Sequence, residues 1–224
     1  MKEIEITADG SATIYVPQLD EHYHSTKGAL SEAIHVYREC AYRFHATFDK
    51  DDPLVVLEVG FGTGLNAVLT AMIADYMKPA HYIALELNPL EREVIDKLNY
   101  GPLVDEKLFN AIHDAEWGTP TEITPYFTIE KRQADYTKCE LPQGIDIVYF
   151  DAFAPEKQPE MWTEALFRQL YNSMAKFGVL TTYCSKGKIR RILEKVGFNV
   201  YRLPGPYKGK REILRAQKEF YSYF

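Results

Sequence analysis

Cysteine is scarce in this chain: Cys40, Cys139 and Cys184 are the whole supply in 224 residues, odd in number and far apart. That excludes a disulfide framework and matches no zinc-binding spacing, so a reducing compartment is expected. No secretory leader is expected. The opening Met1-Lys2-Glu3-Ile4-Glu5-Ile6 has no apolar core of the kind a signal peptide needs, and no apolar run approaches the length of a membrane span. The expectation is a cytoplasmic protein with no membrane contact. Net positive charge is also lacking: 26 Lys and Arg against 32 Asp and Glu give −6, a poor overall balance for a nucleic-acid binder. His22, His24 and His35 come without a further set of ligands at metal-site spacing. Hydrogen-bonding or solvated histidines are expected there, and no metal.

What is present centres on Leu54 to Asn66, Leu-Val-Val-Leu-Glu-Val-Gly-Phe-Gly-Thr-Gly-Leu-Asn. It opens as a short apolar run rich in β-branched residues, the pattern of a strand buried on both faces, with Asp51, Asp52 and Pro53 marking its start. Gly60, Gly62 and Gly64 follow at every second position, and Leu65 to Met77 carries helical periodicity. Strand, glycine turn and helix form the first unit of a doubly wound α/β sheet, whose ligand lies outside the carboxyl end of the strand. The length suits one such domain with additions, able to bury roughly 70% of its unfolded surface without staples.

Two ligands fit the turn. Gly62-Thr63-Gly64-Leu65-Asn66-Ala67 satisfies the dinucleotide fingerprint with alanine in last place. Against a pyrophosphate, the glycine run starts close after Glu58, and an acid there suits a sulfonium or an α-amino group better. The string Glu-x-Gly-x-Gly-x-Gly resembles motif I of the class I methyltransferases that use S-adenosyl-L-methionine (AdoMet). The next strand, His81 to Glu86, ends in a second acid placed for ribose hydroxyls, which both ligand classes share.

Taken in order, Ile4–Thr7 and Thr13–Val16 flank Ala8-Asp9-Gly10-Ser11 and predict a hairpin. Ala29 to Phe44 has apolar residues at helical spacing. Residues 1–50 are thus expected to form a hairpin and helix cap within the same domain as a core spanning 51–224. Beyond Glu86, Asn88 and Pro89 look like N-cap and first residue of a helix reaching about Leu98, and Leu103 to Asp114 like another. Tyr126 to Glu130 reads as a strand, followed by Asp135, the candidate for an adenine amino group by analogy with class I enzymes. Ile145 to Phe150 reads as the fourth sheet strand, running into Asp151-Ala152-Phe153-Ala154-Pro155, with the next helix beginning near Pro159. This element resembles the Asp/Asn-Pro-Pro-Tyr of amino-group methyltransferases. A carboxylate there can accept amine N–H hydrogen bonds, and an aromatic face can hold a group gaining positive charge; a helix-capping Asp is the plainer alternative.

Charge is unevenly spread. Lys186 to Lys218 holds eleven basic residues against Glu194 and Glu212, so that segment is +9 and the rest −15. Such asymmetry points to a polyanion meeting one face, or to a solvated basic helix and strand.

The string Asp151 to Trp162, Asp-Ala-Phe-Ala-Pro-Glu-Lys-Gln-Pro-Glu-Met-Trp, adds specificity. With it go Leu166-Phe167, Gly178-Val179-Leu180, Thr181-Thr182-Tyr183, Arg190-Arg191, Gly197-Phe198, Gly209-Lys210-Arg211-Glu212, and the N-terminal Tyr23-His24-Ser25 and His35-Val36-Tyr37. Together these resemble the tRNA 5-(aminomethyl)-2-thiouridine methyltransferases, called MnmD when free-standing and forming the methyltransferase half of bifunctional MnmC. The resemblance covers essentially the whole chain. It implies a Rossmann-like class I fold, an α/β arrangement with a mostly parallel sheet flanked by helices and a small N-terminal extension. It also implies AdoMet-dependent N-methylation of the aminomethyl group on the wobble uridine. The sequence given ends at Phe224, so the methyl-transfer step is expected without the FAD-dependent oxidase half, and a separate wobble-uridine modifying enzyme is a possible functional partner.

Carried over residue by residue, the resemblance assigns Gly60, Gly62, Gly64 and Asn66 to the methionine and ribose portions of AdoMet. Glu58 would face its amino-acid or sulfonium end, Glu86 its ribose and Asp135 its adenine. Asp151 would orient the substrate amine with Phe153 beside it. Lys186, Lys188, Arg190, Arg191, Lys208, Lys210 and Arg211 would hold the tRNA anticodon loop and stem, since base chemistry requires the base out of its stack. Arg211 has a second option, pairing with an acid at the start of a last strand (Arg211 to Ala216). The rivals are an aminopropyltransferase of the spermidine synthase type, a nicotinamide oxidoreductase, and a non-catalytic RNA-binding module. The first usually has a further acid where this chain has Phe153 and Ala154, the second needs a catalytic Tyr/Lys or His not found here, and the third a degenerate pocket.

Overall fold

The structure is a computed structural model, and it describes residues 2–47 and 52–219. The expected boundary at 50/51, Asp51 and Phe224 lie outside the described residues.

Strands β1 (Glu3–Ile6) and β2 (Ala12–Val16) pair antiparallel, Glu3 opposite Tyr15 and Ile6 opposite Ala12, and β3 (Glu21–His22) adds to β2. The turn between β1 and β2 needs Gly10 at φ +86. Asp9 links this hairpin to the next element: Oδ1 accepts from the Thr7 hydroxyl at 2.8 Å, and Oδ2 accepts from the Ser31 amide and hydroxyl at 2.8 and 2.6 Å. Helix α1 (Ala29–Ala33) continues as a π-helix over Ile34–Arg43, so the predicted Ala29–Phe44 helix exists in two conformations. π-Helical turns are uncommon and concentrate at functional sites. This one carries Tyr37.

The main sheet follows. In chain order its elements are β4 (Leu54–Val59), α2 (Leu65–Ala74), β5 (Ala80–Glu86), α3 (Arg92–Ile95), α4 (Tyr100–Leu103) and α5 (Glu106–Asp114). Then come β6 (Thr121–Thr124), β7 (Phe127–Gln133), β8 (Ile145–Phe150), a 3-10 turn (Pro159–Trp162), α6 (Glu164–Ser173), β9 (Met174–Thr182), α7 (Gly187–Val196), β10 (Asn199–Pro204) and β11 (Glu212–Gln217). The strand order is β10-β11-β9-β8-β4-β5-β7-β6. The five central strands β9, β8, β4, β5 and β7 are parallel; β6 pairs antiparallel with β7, β11 with β9, and β10 with β11. From β4 the chain steps outward to β5 and β7, then returns to β8 on the other side. The reversal lies between β4 and β8, where open α/β sheets place their ligand.

β4 is buried on both faces, as its apolar run predicted, and so is β8. One apolar cluster (Val56, Tyr82, Tyr149, with α2) also takes in Ile14, Val36 and Tyr37 from the N-terminal elements; the other (Leu57, Val148, Phe150) packs under α6 and α7. The helix expected from Asn88 to Leu98 shrinks to Arg92–Ile95. Asn88 is not its N-cap: its own amide donates to Glu86 Oε1 at 2.8 Å, which holds the chain extended past Pro89. The helix expected at Leu103–Asp114 breaks in two, because Asp105 caps α5 by accepting from the Leu108 amide at 2.9 Å.

Candidate active site

Outside the carboxyl ends of β4, β5 and β8 lies a cleft of about 480 Å³. Of the sequence-derived candidates, Gly60, Gly62, Glu86, Asp135, Asp151, Phe153, Lys186 and Lys210 line it together. Glu58, Gly64 and Asn66 stand behind its wall, and Lys188, Arg190, Arg191, Lys208 and Arg211 lie outside it.

The turn from β4 to α2 is shaped by backbone that only glycine takes readily. Gly60, Gly62 and Gly64 have φ of +94, +51 and +71, and a Cβ on Gly60 would meet the Asp151 carbonyl oxygen at 2.7 Å. Glu86 closes the turn by accepting from the Gly62 amide at 3.0 Å. Behind it, His113 Nε2 lies 3.1 Å from the Thr63 carbonyl, which fixes its proton on that nitrogen, and burial lowers its pKa to about 4. His24 Nε2 meets the Thr63 hydroxyl at 2.8 Å and is lowered by burial to about 4. Lys131, 1% exposed, donates to the His113 carbonyl at 2.8 Å, its Nζ 5.1 Å from the Trp117 ring centroid and 5.9 Å from that of Phe61. Burial lowers it to about 8.

Asp151 dominates the opposite wall. Its Oδ1 accepts from the Tyr37 hydroxyl at 2.6 Å and its Oδ2 from Asn66 Nδ2 at 2.9 Å. Burial pushes its pKa up to about 6; the Tyr37 hydrogen bond opposes this, Glu32 adds to it, and Asn66 and Lys210 oppose it. The same Asn66 Nδ2 donates to Glu58 Oε1 at 2.9 Å. Phe153 meets Tyr23 edge-on at 5.1 Å, and its carbonyl accepts from Trp162 Nε1 at 2.8 Å. Tyr183 donates to the Ala152 carbonyl at 2.8 Å. The loop after β8 is therefore clamped on both sides of its aromatic.

Glu58 requires a correction. Its side chain points into the sheet face covered by α2 and is fully buried, so it does not face the cleft. Burial drives its carboxyl well above the usual range, with Asn66 and Tyr82 opposing, and favours the neutral form. Its Oε2 and the Tyr82 hydroxyl face one another with no other partner among the described residues. An acid walled off from the cleft is badly placed to serve a sulfonium as a counter-ion. Its contact is with Asn66.

Asp135 lines the cleft, yet its Oδ1 accepts from the Thr137 amide and hydroxyl at 2.9 and 2.7 Å, and Lys138 pairs with Oδ2 at 2.8 Å. The Lys138 and Thr137 contacts lower it to about 2. Several of the basic candidates are also engaged: Lys186 by Glu156, Arg190 by Glu194 at 2.7 Å, and Lys210 by Glu32 at 3.2 Å. Arg211 is exposed, and the last strand begins one residue later, at Glu212. Among the described residues no group of three His, Cys, Asp or Glu is placed to hold a metal, and no helix is long and apolar enough to cross a membrane.

Residues 128–219 match the sequence model of a family described as S-adenosyl-L-methionine-dependent methyltransferase. The tRNA 5-methylaminomethyl-2-thiouridine biosynthesis bifunctional protein MnmC of Cupriavidus necator is 31% identical over 217 residues, covering 90% of this chain and 32% of that protein. Its counterpart from Pseudomonas savastanoi pv. phaseolicola is 32% identical over 216 residues, covering 87% and 31%. Among solved structures, MNMC2 from Aquifex aeolicus superposes with a TM-score of 0.79 at 23% identity, covering 98% of this chain and 70% of that one. Over residues 128–219 the chain is similar to that methyltransferase family. It spans about a third of the length of the curated relatives it matches. The spermidine synthase of Thermotoga maritima shares the fold at a TM-score of 0.57 and 16% identity, covering 98% and 72%.

The family matched is described as dependent on S-adenosyl-L-methionine, and the cleft suits that cofactor. The volume lies within the range of about 300–1,000 Å³ typical of small-molecule sites. Glu86 keeps acceptor capacity for hydroxyls after its two backbone contacts, since a carboxylate takes about four hydrogen bonds. Leu87, Tyr136 and Met161 supply apolar walls near Asp135.

Sequence reasoning missed Tyr37, Glu32 and the bridging role of Asn66. Tyr37 is 114 residues from Asp151 and Glu32 sits on α1, so neither follows from a local pattern. Two outcomes are expected. Tyr37→Phe removes a donor that holds Asp151 down; acceptor turnover should fall by about ten-fold, and the pH midpoint for acceptor binding should move above that of wild type, with AdoMet affinity unchanged. Glu58→Gln keeps the shape of the side chain without its charge. It should leave AdoMet affinity by calorimetry within about three-fold of wild type, as expected of a fully buried group that does not line the cleft; a loss of a hundred-fold would restore Glu58 as a cofactor counter-ion.

Proposed function

We propose that the chain methylates the 5-aminomethyl nitrogen of 5-aminomethyl-2-thiouridine at the tRNA wobble position, giving 5-methylaminomethyl-2-thiouridine. The observation that carries this reading is Asp151: a half-buried carboxylate at the cleft, both oxygens fixed by separate donors, with Phe153 beside it. The MnmC relatives support the choice of acceptor through the product in their name.

Bound AdoMet supplies an electrophilic methyl group, so the acceptor nitrogen must present a free lone pair. Asp151 accepts an N–H of the amine and turns the lone pair outward. Its pKa near 6 lets it draw the ammonium form in. The buried surroundings favour the neutral amine, so the ammonium proton passes to an Asp151 carboxylate oxygen, and positioning supplies much of the rate. Phe153 and Tyr23 form the aromatic wall beside the nitrogen as it gains charge. On the cofactor side, Gly60 and Gly62 give backbone access, Glu86 takes the ribose hydroxyls, and Asp135 and its neighbours border the adenine. Asn66 and Gly64 act from behind. Residues 1–50 serve as a cap on the 51–224 core, supplying Tyr23, His24 and Tyr37. Lys188, Arg191, Lys208 and Arg211 are the proposed contacts to the anticodon arm, which puts the reaction in the cytoplasm. A separate enzyme acting on the wobble uridine would supply the aminomethyl group.

A second reading, aminopropyl transfer to a polyamine, draws on Glu32, a second acid in the same cleft. Lys210 at 3.2 Å neutralises it, which favours a single amine. Labelled methyl from AdoMet should enter tRNA carrying 5-aminomethyl-2-thiouridine at the wobble nucleotide alone, with fully methylated tRNA as control. Transfer to putrescine and none to tRNA would reverse the assignment.

A further inference from the structure

The seven residues joining β10 to β11, Gly205 to Arg211, form a rigid projection at the cleft mouth. The Gly205 amide donates to the Arg211 carbonyl at 3.0 Å and the Gly209 amide to the Pro206 carbonyl at 2.9 Å. A Cβ on Gly205 would meet the Lys210 carbonyl oxygen at 1.8 Å, so the backbone there is close-packed. His35 on the π-helix bonds to the Pro204 carbonyl at 2.8 Å. Lys210 reaches inward, 3.2 Å from Glu32, with its Nζ 3.7 Å from the Tyr183 ring centroid, and lines the cleft. The projection is thereby tied to the site.

Its outer side is different. Tyr207 is 88% exposed, while Pro206 beneath it is buried. Lys208 holds φ +60, a conformation a lysine adopts at a cost of about 1 kcal/mol or more, and its Nζ lies 5.4 Å from the Tyr207 ring centroid. Arg211 is exposed beside it, and the nearest acid in sequence, Glu212, is paired with Arg202 at 3.6 Å. An aromatic face held outward beside cations that no acid pairs among the described residues, next to a cleft, matches the needs of single-stranded nucleic acid: a ring for a base and cations for its phosphates.

We propose that Tyr207 stacks an unpaired base of the RNA next to the nucleotide in the cleft, with Lys208 and Arg211 taking the adjoining phosphates. This rests on tRNA as the acceptor. Tyr207→Ala should weaken binding of an anticodon stem-loop, and raise the tRNA KM, by about ten-fold, with kcat, AdoMet affinity and Tm unchanged. Tyr207→Phe and Tyr207→Trp should restore both, since either ring stacks. Turnover of the free nucleoside 5-aminomethyl-2-thiouridine should not respond to any of the three. Unchanged stem-loop affinity in Tyr207→Ala, as expected if the ring met a protein instead, overturns the proposal while leaving the function intact. So does a phenylalanine variant as weak as alanine. A wild-type protein that binds AdoMet but neither binds nor methylates tRNA overturns both.

Discussion

Asp151→Ala is expected to lower methyl transfer to tRNA by about a hundred- to ten-thousand-fold, the range for losing a positioned acid–base group, while AdoMet affinity stays within a factor of a few. The two measurements separate because Asp151 is held by Tyr37 and Asn66 on the acceptor wall, away from Glu86. The pH dependence follows from the raised pKa. Above about 6 the carboxylate is ionised and pairs with an ammonium; below, it is neutral. Acceptor affinity should tighten from pH 5 to 7 in wild type and stay flat in Asp151→Asn. Stability runs the opposite way. The folded pKa exceeds the unfolded one, so the contribution is fully present below about 3.9 and lost as pH rises through about 6. Thermal melts should therefore show Asp151→Asn gaining on wild type between pH 4 and 7.5. An alanine variant with wild-type turnover would remove Asp151 from the reaction.

Gly60→Ala is the second large effect. The new methyl would sit 2.7 Å from the Asp151 carbonyl oxygen, at φ +94, and that oxygen belongs to the backbone of β8's exit. One of the two neighbouring strand ends must move. We expect a loss of about 2–4 kcal/mol of stability, a Tm drop of roughly 5–10 °C, and AdoMet binding weakened by at least ten-fold. Gly10→Ala, where nothing lies within 4 Å of a Cβ, keeps the strained φ without the clash. Equal Tm losses in the two variants would mean that φ alone, and not the approach of β4 to β8, demands glycine at position 60.

Much of this was legible from local chemistry. The apolar runs of β4 and β8, the glycine turn and the Asp-Gly hairpin each depend on a few neighbouring residues, and each stands where its pattern put it. Errors arose where side chains from elsewhere intervened. Asn88 looked like a helix cap until Glu86, two residues back, claimed its amide. Glu58 was assigned to the cleft because a strand buried on both faces gives no alternation from which to read the direction of one acid. Lys210 read as part of a phosphate-binding run, whereas the β10–β11 turn folds it back onto Glu32. Tyr37 could not be foreseen: its aim depends on the π-helical path of Ile34–Arg43, which helical spacing does not distinguish from an α-helix.

The two tryptophans of the chain fall on opposite sides of the cleft. Trp117 stands edge-on to Phe61 at 5.8 Å with the Lys131 ammonium nearby, behind the glycine turn. Trp162 donates to the Phe153 carbonyl, beneath the acceptor wall. Each indole thus samples one half of the site, and a single Trp→Phe replacement leaves a fluorophore reporting on the other. Titrating the two single-tryptophan proteins side by side would give an optical readout of cofactor and acceptor arrival as separate events, without a label.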